Sequence, residues 1–319
     1  MWDVMAGFAV VWLIIAIGYL LGRSRILPLE SQLIMSRIAF FVASPCLLFL
    51  TISQSSITDV VGPQFVIAAV SALGSVVVMF VMNVVFLRGR SAIERVITAQ
   101  SASQVNAGNL GFPIAAYVLG DMALAAPVIM FQQAIYMPVV ITVLGHFTIS
   151  KSTSSRERVS PRRILFLWLG QTAANPILLG AIGGLIFSWQ KWQLSGPLME
   201  AIQLLAGATI PLMLLSFGLS LVGNVPLAKE TGRRPDVLIA TIIKLVIHPA
   251  IAYLLALFVF ELEGNMLLAA VVMASLPTAQ NVLIIAVRYG GGERIARDSV
   301  LLTTALGVPS MILLAALSP

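Results

Sequence analysis

The side chains best suited to binding chemistry lie in two short polar stretches within apolar sequence, NAGNLGFP at 106–113 and PTAQN at 277–281. Polar, helix-breaking residues at membrane depth are costly unless they line a cavity. A broken helix frees carbonyls on one side and N–H groups on the other, and the N-terminus of the following half-helix favours an anion. Two such breaks in matching positions of an internal repeat indicate the binding site of a transporter.

The breaks are expected from proline and glycine placement. Pro113 and Pro277 lack a backbone N–H, and Gly108 relaxes the chain, so we expect interruptions near 106–113 and at Pro277. The polar side chains placed to complete an anion site are Asn106, Asn109, Thr278, Gln280 and Asn281. Alternatively, these side chains only satisfy freed backbone groups and join helices. Two breaks in equivalent places favour a substrate site.

Four further polar residues within apolar segments are candidates for substrate or coupling roles. Lys244 and His248 are four residues apart and share a helix face, and an ionisable residue within a span is a functional hypothesis by default. Lys244 could instead extend to the nearby membrane surface. Gln132 and Gln133 align with a Thr-Thr pair in the second half, and they could face the cavity or form interhelical hydrogen bonds.

The apolar segments lack the combinations of catalytic side chains that an intramembrane enzyme would need. His146 and His248 have no nucleophile, paired carboxylate or metal-ligand companions, so the sequence predicts no catalytic site, metal or cofactor. The thirteen acidic residues all fall at or near predicted helix ends. This argues against a carboxylate sodium site or proton relay, and leaves uniport, exchange, or proton linkage through His248.

The composition requires that membrane helices position these residues. The chain is 59% hydrophobic and 10% charged, with a mean hydropathy of +1.00, which is typical of an all-α polytopic membrane protein. The net charge of +6 is spread over loops without a nucleic-acid motif, so the lipid bilayer is the expected partner and nucleic acid is not. A single cysteine, Cys46, excludes an internal disulfide.

Ten apolar segments are long enough to span a bilayer. They run over 4–22, 31–53, 64–87, 92–119, 123–149, 164–188, 197–222, 237–260, 266–289 and 295–317. Sixteen of the nineteen Lys and Arg residues lie in odd-numbered connections, whereas the even-numbered connections and both tails carry only Lys191. The positive-inside rule therefore predicts ten spans in the inner (plasma) membrane with both termini outside the cytoplasm.

The chain divides into two related halves. A Ser- and Arg-rich segment at 151–163, predicted to be a cytoplasmic linker, separates residues 1–150 from 164–319. A spacing of 166 residues relates Gly18 to Gly184 and Pro45 to Pro211, and a spacing of 172 relates Asn109 to Asn281. Because each half has five spans, an odd number, the second enters the membrane from the opposite side, giving two inverted five-helix repeats.

The strings PTAQNVLIIAVRYGGG at 277–292, NAGNLGFPIAAYVLGD at 106–121 and NP at 175–176 resemble the auxin efflux carrier family. That family includes bacterial relatives of the plant PIN auxin exporters and of malonate carriers. The resemblance extends over essentially the whole chain and implies the fold of bile acid:sodium symporters. In that fold, scaffold and transport subdomains interleave across both repeats, and helices 4 and 9 cross at their breaks.

The resemblance also implies a function. Family members move small organic anions, so we expect a carrier of auxin-like or dicarboxylic acids that works by alternating access. An asparagine at each crossing contributes to substrate binding in the PIN-type carriers, and these positions fall on Asn109 and Asn281 here. A sodium-coupled symporter and a non-transporting membrane sensor on the same fold remain the alternatives, and a homodimer is left open.

Overall fold

The computed structural model describes residues 2–55, 62–152, 170, 175–223, 227 and 233–317. All regular structure within these residues is helical, apart from one isolated antiparallel bridge between Val105 and Thr278. A chain in hydrocarbon must satisfy its own N–H and C=O groups, so long apolar segments fold as helices. Most of the predicted 151–163 linker lies outside the described residues.

Eight α-helices are described before the linker. They are α1 (Trp2–Arg23), α2 (Ser31–Ile38), α3 (Ser44–Ser53), α4 (Pro63–Val85), α5 (Ala92–Ser103), α6 (Phe112–Tyr117), α7 (Ala126–Phe131) and α8 (Met137–Ser152). Short turns of other helical types join several of them: π-helical turns at Ala39–Ala43, Ala107–Gly111 and Gln132–Tyr136, and a 3-10 turn at Met122–Ala125.

Eight α-helices are also described after the linker. They are α9 (Pro176–Gln190), α10 (Pro197–Gly207), α11 (Thr209–Ser220), α12 (Arg234–Ile242), α13 (His248–Leu254), α14 (Gly264–Ser275), α15 (Asn281–Tyr289) and α16 (Glu293–Leu317). π-helical turns at Ile243–Ile247 and Leu255–Val259 flank α13. Asn175 caps the N-terminus of α9: its side chain accepts a hydrogen bond from the Ile177 N–H at 3.0 Å, and Pro176 occupies the first helical position.

Six helical stretches of the described chain are long and apolar enough to cross a membrane. They are Met5–Arg23, Ser31–Ser53, Pro63–Val85, Met122–Phe147, Pro197–Ser220 and Arg234–Val259. Pro176–Gln190 and Gly264–Ser275 are shorter apolar helices. The protein is thus an all-helical membrane protein with several spans, and the number ten stays a prediction.

The chain forms two compact units. The first comprises residues 1–66, 107–133 and 173–224, and the second comprises residues 67–106, 134–172 and 225–319. Each unit therefore draws segments from both halves of the sequence.

Close helix contacts in the first unit depend on glycine. A Cβ added to Gly18 on α1 would lie 2.4 Å from the Leu215 carbonyl oxygen on α11, and one added to Gly184 on α9 would lie 2.8 Å from the Phe49 carbonyl oxygen on α3. The 166-residue spacing that relates Gly18 to Gly184 also relates Phe49 to Leu215. The two contacts are therefore reciprocal, as an internal repeat predicts.

Small residues also pack the second unit. Ala99 and Ala102 of α5 share one buried cluster with Met79 of α4, Ala240 of α12 and Ile243. Gly74 of α4 lies against the Ile251 side chain, which a Cβ at Gly74 would approach to 3.1 Å. The short side chains let helices α4, α5, α12 and α13 approach closely, which is the usual packing mode of helices in membranes.

Candidate functional site

The second polar stretch interrupts its helix as predicted. Helix α14 ends at Ser275 and α15 begins at Asn281, so residues 276–280 lie outside the helices. Leu276 is already non-helical (φ −52°, ψ 142°), one residue before Pro277. Proline disfavours helical backbone at the residue before it, which accounts for the position of the break.

The first interruption lies slightly earlier than the sequence predicted. The chain leaves α5 after Ser103, Gln104 is extended (φ −83°, ψ 115°), and helical structure resumes at Ala107. The expected break at 106–113 is therefore corrected to 104–106, because Pro113 lies in the first turn of α6, where its missing N–H is tolerated. The widened π-helical turn at Ala107–Gly111 leads into that turn.

The two interruptions pair with each other inside the second unit. The Asn106 N–H donates to the Pro277 carbonyl at 2.8 Å, and the Ala279 N–H donates to the Gln104 carbonyl at 3.1 Å. Buried backbone groups freed from a helix need new partners, and each interruption supplies those of the other. We call segments Gln104–Asn106 and Pro277–Ala279 the paired breaks.

Thr278 fixes the paired breaks to two neighbouring helices. Its backbone N–H donates to the Thr303 hydroxyl on α16 at 3.0 Å, and its own hydroxyl donates to the Ser101 carbonyl on α5 at 2.7 Å. Thr278 is fully buried. Its hydroxyl proton is therefore engaged within the protein in the state described, and a role of Thr278 in substrate binding stays a prediction.

A chain of amides lies beside the paired breaks. Gln100 Nε2 donates to Gln104 Oε1 at 2.6 Å, and Gln104 Nε2 donates to Asn281 Oδ1 at 3.1 Å. The Met137 sulfur lies 3.3 Å from Gln104 Nε2 and 3.9 Å from Asn281 Nδ2. Gln100 Oε1 is buried and accepts no hydrogen bond from the described residues. This row of amides places N–H donors next to the N-terminus of α15, and both the donors and the helix N-terminus suit a carboxylate.

The sequence analysis missed Gln100 and Gln104. Their signal was present: two glutamines lie four residues apart at the C-terminal end of α5, Gln100 in its last turn and Gln104 directly after it. The prediction relied on the positions of proline and glycine, and it therefore centred on residues 106–113 and did not include these two glutamines.

The other predicted site residues divide between the two units. Asn106, Pro277, Gln280 and Asn281 belong to the second unit, and Asn106 is almost fully buried. Gly108, Asn109 and Pro113 belong to the first unit, as do Gln132 and Gln133. The Asn175 amide donates to Gln133 Oε1 at 3.0 Å, so Gln133 joins helices within that unit. A shared cavity for Asn109 and Asn281 remains a prediction.

Lys244 and His248 form a buried pair in the second unit. Lys244 Nζ lies 3.1 Å from His248 Nδ1 and donates to the Ala274 carbonyl at 2.7 Å. The exposed fraction of Lys244 is 0% and that of His248 is 2%. Lys244 therefore points inward to the end of α14, and the alternative that it extends to the membrane surface is wrong.

The sequence matches the family described as "Membrane transport protein" over residues 3–315. This chain belongs to that family. The match covers nearly all of the chain and corresponds to the resemblance to auxin efflux carriers carried by the two polar motifs. The protein is accordingly a membrane transporter by family and not an enzyme.

Three proteins are similar to this transport-family member over most of their length. A Rhizobium meliloti protein described as "Putative malonate transporter" is 27% identical over 306 residues, which cover 93% of this chain and 90% of that protein. An uncharacterized transporter of Methanocaldococcus jannaschii is 24% identical, covering 94% of each chain. Another uncharacterized transporter, from Methanothermobacter thermautotrophicus, is 23% identical with the same coverage.

Two ion pairs of this membrane transport protein lie at the starts of helices α5 and α12, which the charge pattern predicts on the same side of the membrane. Arg90 binds the fully buried Asp236 through two hydrogen bonds of 2.8 and 2.7 Å, and Arg233 pairs with Glu94. The hydrogen bond to Asp236 raises the pKa of Arg90, so this guanidinium stays charged. Both pairs link the third predicted connection to the seventh, and both of these connections are predicted to face the cytoplasm.

Proposed function

We propose that the protein is a secondary transporter that moves small organic anions, aromatic or dicarboxylic acids such as malonate, by alternating access. The observation that carries this proposal is the amide chain from Gln100 through Gln104 to Asn281 beside the paired breaks. Half-helix N-termini and amide donors favour an anion, and the basic side chain of Lys244 reaches the end of α14 at the break. No carboxylate side chain takes part in the paired breaks to repel a substrate carboxylate.

The malonate class is supported by the relative from Rhizobium meliloti, which is described as "Putative malonate transporter" and is 27% identical. A dicarboxylate offers two acceptor groups, so one carboxylate can engage an amide donor while the other engages a helix N-terminus. We propose that Asn281 supplies such a donor on the side of α15. Asn109 is proposed as a second contributor, on the strength of the family resemblance.

The proposed architecture is ten spans in two inverted five-helix repeats, with both termini outside the cytoplasm of the cell. The reciprocal contacts of Gly18 with Leu215 and of Gly184 with Phe49 support the repeat. The pairing of the breaks supports the repeat as well. The 172-residue spacing relates the Val105–Thr278 contact to the Asn106–Pro277 contact, so the two contacts are equivalent in the two halves. Inverted repeats of this kind support alternating access around a shared site.

Ligand-dependent thermal stability tests the proposal. We expect malonate and an aromatic monocarboxylate to raise the melting temperature of the purified protein, because a ligand that binds only the folded state stabilises it by mass action. Neutral sugars of similar size serve as controls. Stabilisation by sugars or cations alone would contradict an organic anion as substrate.

Transport in liposomes then separates a carrier from a sensor. Protein reconstituted in liposomes is expected to accumulate radiolabelled malonate faster than protein-free liposomes, and unlabelled malonate should compete. A protein that binds malonate without moving it would be a sensor on a transporter fold.

A further inference from the structure

The buried pair of Lys244 and His248 has an unusual electrostatic setting. Both side chains are basic, both are buried, and their nitrogens lie 3.1 Å apart. All ion pairs of the described residues join an arginine to a carboxylate, so none neutralises Lys244. A buried charge without a counter-ion is expensive, and such a residue within a membrane protein marks a functional group.

No carboxylate on the described elements around the pair forms an ion pair with Lys244 or His248. Helices α4 and α14 carry no ionisable side chain. The ionisable side chains of the other packed elements are Glu94 and Arg95 on α5, Arg234 and Asp236 on α12, Tyr253 on α13, and Glu293, Arg294, Arg297 and Asp298 on α16. Three of the acids are bound by arginine: Glu94 by Arg233, Asp236 by Arg90, and Asp298 by Arg297. Glu293, at the start of α16, is solvent-exposed.

The short distance between the two nitrogens limits the pair to one extra proton. A hydrogen bond between Nζ and Nδ1 needs one hydrogen between the two atoms, so one nitrogen donates and the other accepts. Two positive charges at this separation in the interior would repel strongly. The pair can therefore be neutral or carry a single charge, shared between amine and imidazole.

Lys244 connects this charge to the paired breaks. In a continuous helix the Ala274 carbonyl would accept from the N–H of residue 278, but the Thr278 N–H donates to Thr303 instead. Lys244 Nζ takes that place on the carbonyl at 2.7 Å. A cation is favoured at a helix C-terminus, so the charged state of the pair stabilises the end of α14 at the break.

We propose that Lys244 and His248 form a one-proton site that is coupled to anion binding at the paired breaks. One proton from water binds the lone pair of the amine or imidazole, and the resulting charge favours an anion bound in the same unit. By reciprocity, the anion favours the protonated pair to the same extent. This inference rests on the proposed function, and it adds the proton as a coupled ligand.

Calorimetry can count the coupled proton. Malonate is titrated into purified protein at a pH where malonate is fully ionised, in two buffers that differ in ionisation enthalpy. The difference in binding heat gives the protons taken up per malonate. We expect uptake of up to a single proton within the pH range in which malonate is fully ionised, with affinity rising as the pH falls.

Matched variants attribute the proton to the pair. Lys244→Met keeps a long, unbranched side chain without the charge, and it should bind malonate more weakly with reduced proton uptake. His248→Gln tests the second member if Lys244→Met does not fold, and it should reduce the uptake and shift its pH dependence. Lys191→Met, at an exposed position after α9, should behave like the unmodified protein.

The outcomes separate the two proposals. Malonate binding without proton uptake at any pH in this range would overturn the one-proton site and leave the proposed function intact. Unchanged uptake in both Lys244→Met and His248→Gln would also overturn it. Failure of malonate and all other carboxylates to bind would overturn the proposed function, and the coupling with it.

Discussion

At the residue scale, Asn281 is the side chain best placed to contact a substrate. Its side chain is partly exposed, begins α15 and accepts a hydrogen bond from Gln104 at 3.1 Å. Accepting through Oδ1 leaves the Nδ2 donors of the amide, which among the described residues face the weak Met137 sulfur at 3.9 Å. A carboxylate would be a much better partner for these donors than a thioether.

We therefore expect Asn281→Ala to weaken malonate binding without unfolding the protein. Loss of a hydrogen bond to a charged group costs about 1.5–3 kcal/mol, which corresponds to a fall in affinity of about tenfold to somewhat over a hundredfold. The resemblance predicts the same for Asn109→Ala. Affinity and melting temperature should be measured on the same preparations.

Asn175→Ala is the matched control for these variants. Asn175 caps α9 and binds Gln133, so its loss should cost about 0.5–2 kcal/mol of stability and leave affinity unchanged. Normal affinity in both Asn109→Ala and Asn281→Ala would remove these asparagines from the site.

The Arg90–Asp236 pair should be important for stability. Asp236 is fully buried and its carboxylate is held by two hydrogen bonds from Arg90. We expect Arg90→Met to lower the free energy of unfolding by about 3–5 kcal/mol, because it leaves a buried carboxylate without a partner. Thermal unfolding in detergent checks this.

Two comparisons make the Arg90 result specific. The double variant Arg90→Met/Asp236→Leu should recover most of the lost stability, since it removes the buried charge as well. Arg88→Met, at a neighbouring exposed position, should have little effect. Equal losses for Arg88→Met and Arg90→Met would show that the ion pair contributes nothing particular.

At the scale of elements, the contact of α1 with α11 depends on the absence of a side chain at Gly18. A Cβ there would meet backbone at 2.4 Å, and backbone cannot move aside as a flexible side chain can. Gly18→Ala should therefore destabilise the protein by about 1–3 kcal/mol, the usual cost of overpacking. The melting temperature of the purified variant measures the effect.

The reciprocal contact predicts the same direction for Gly184→Ala, where the Cβ would lie 2.8 Å from the Phe49 carbonyl oxygen. Gly145→Ala in α8 is the control, because no atom lies within 4 Å of a Cβ there and alanine favours the helix. A neutral effect of Gly18→Ala beside a neutral Gly145→Ala would contradict the close contact.

Orientation in the bilayer is a property of the whole molecule. The distribution of Lys and Arg predicts that odd-numbered connections face the cytoplasm, and the Arg90–Asp236 and Arg233–Glu94 pairs join two of these connections. Ser155 lies in the predicted central linker, outside the described residues.

A cysteine at Ser155, in a Cys46→Ala background, should react with a membrane-impermeant maleimide only after the cells are permeabilised. Lys191→Cys, in an even-numbered connection, should react in intact cells. Labelling of the Ser155 cysteine in intact cells would reverse the orientation.

The sequence by itself determined the class of the protein and the approximate place of both breaks. Hydropathy requires helices because hydrocarbon offers the backbone no partner, and Pro277 ends a helix through local geometry that needs no other part of the chain. The same local reasoning misplaced the first break, because Pro113 is tolerated in a helix's first turn and only the surrounding structure decides whether a turn begins there.

Only the tertiary structure decided which distant groups complete the site. Gln104 and Asn281 are 177 residues apart, as are Ser101 and Thr278, and Arg90 and Asp236 are 146 apart. A broken helix must satisfy its freed donors and acceptors, and this requirement can be read from the sequence. The partner of each freed group depends on which helices pack together. Because α14 packs beside Lys244, its ammonium group donates to the Ala274 carbonyl and does not extend to the membrane surface.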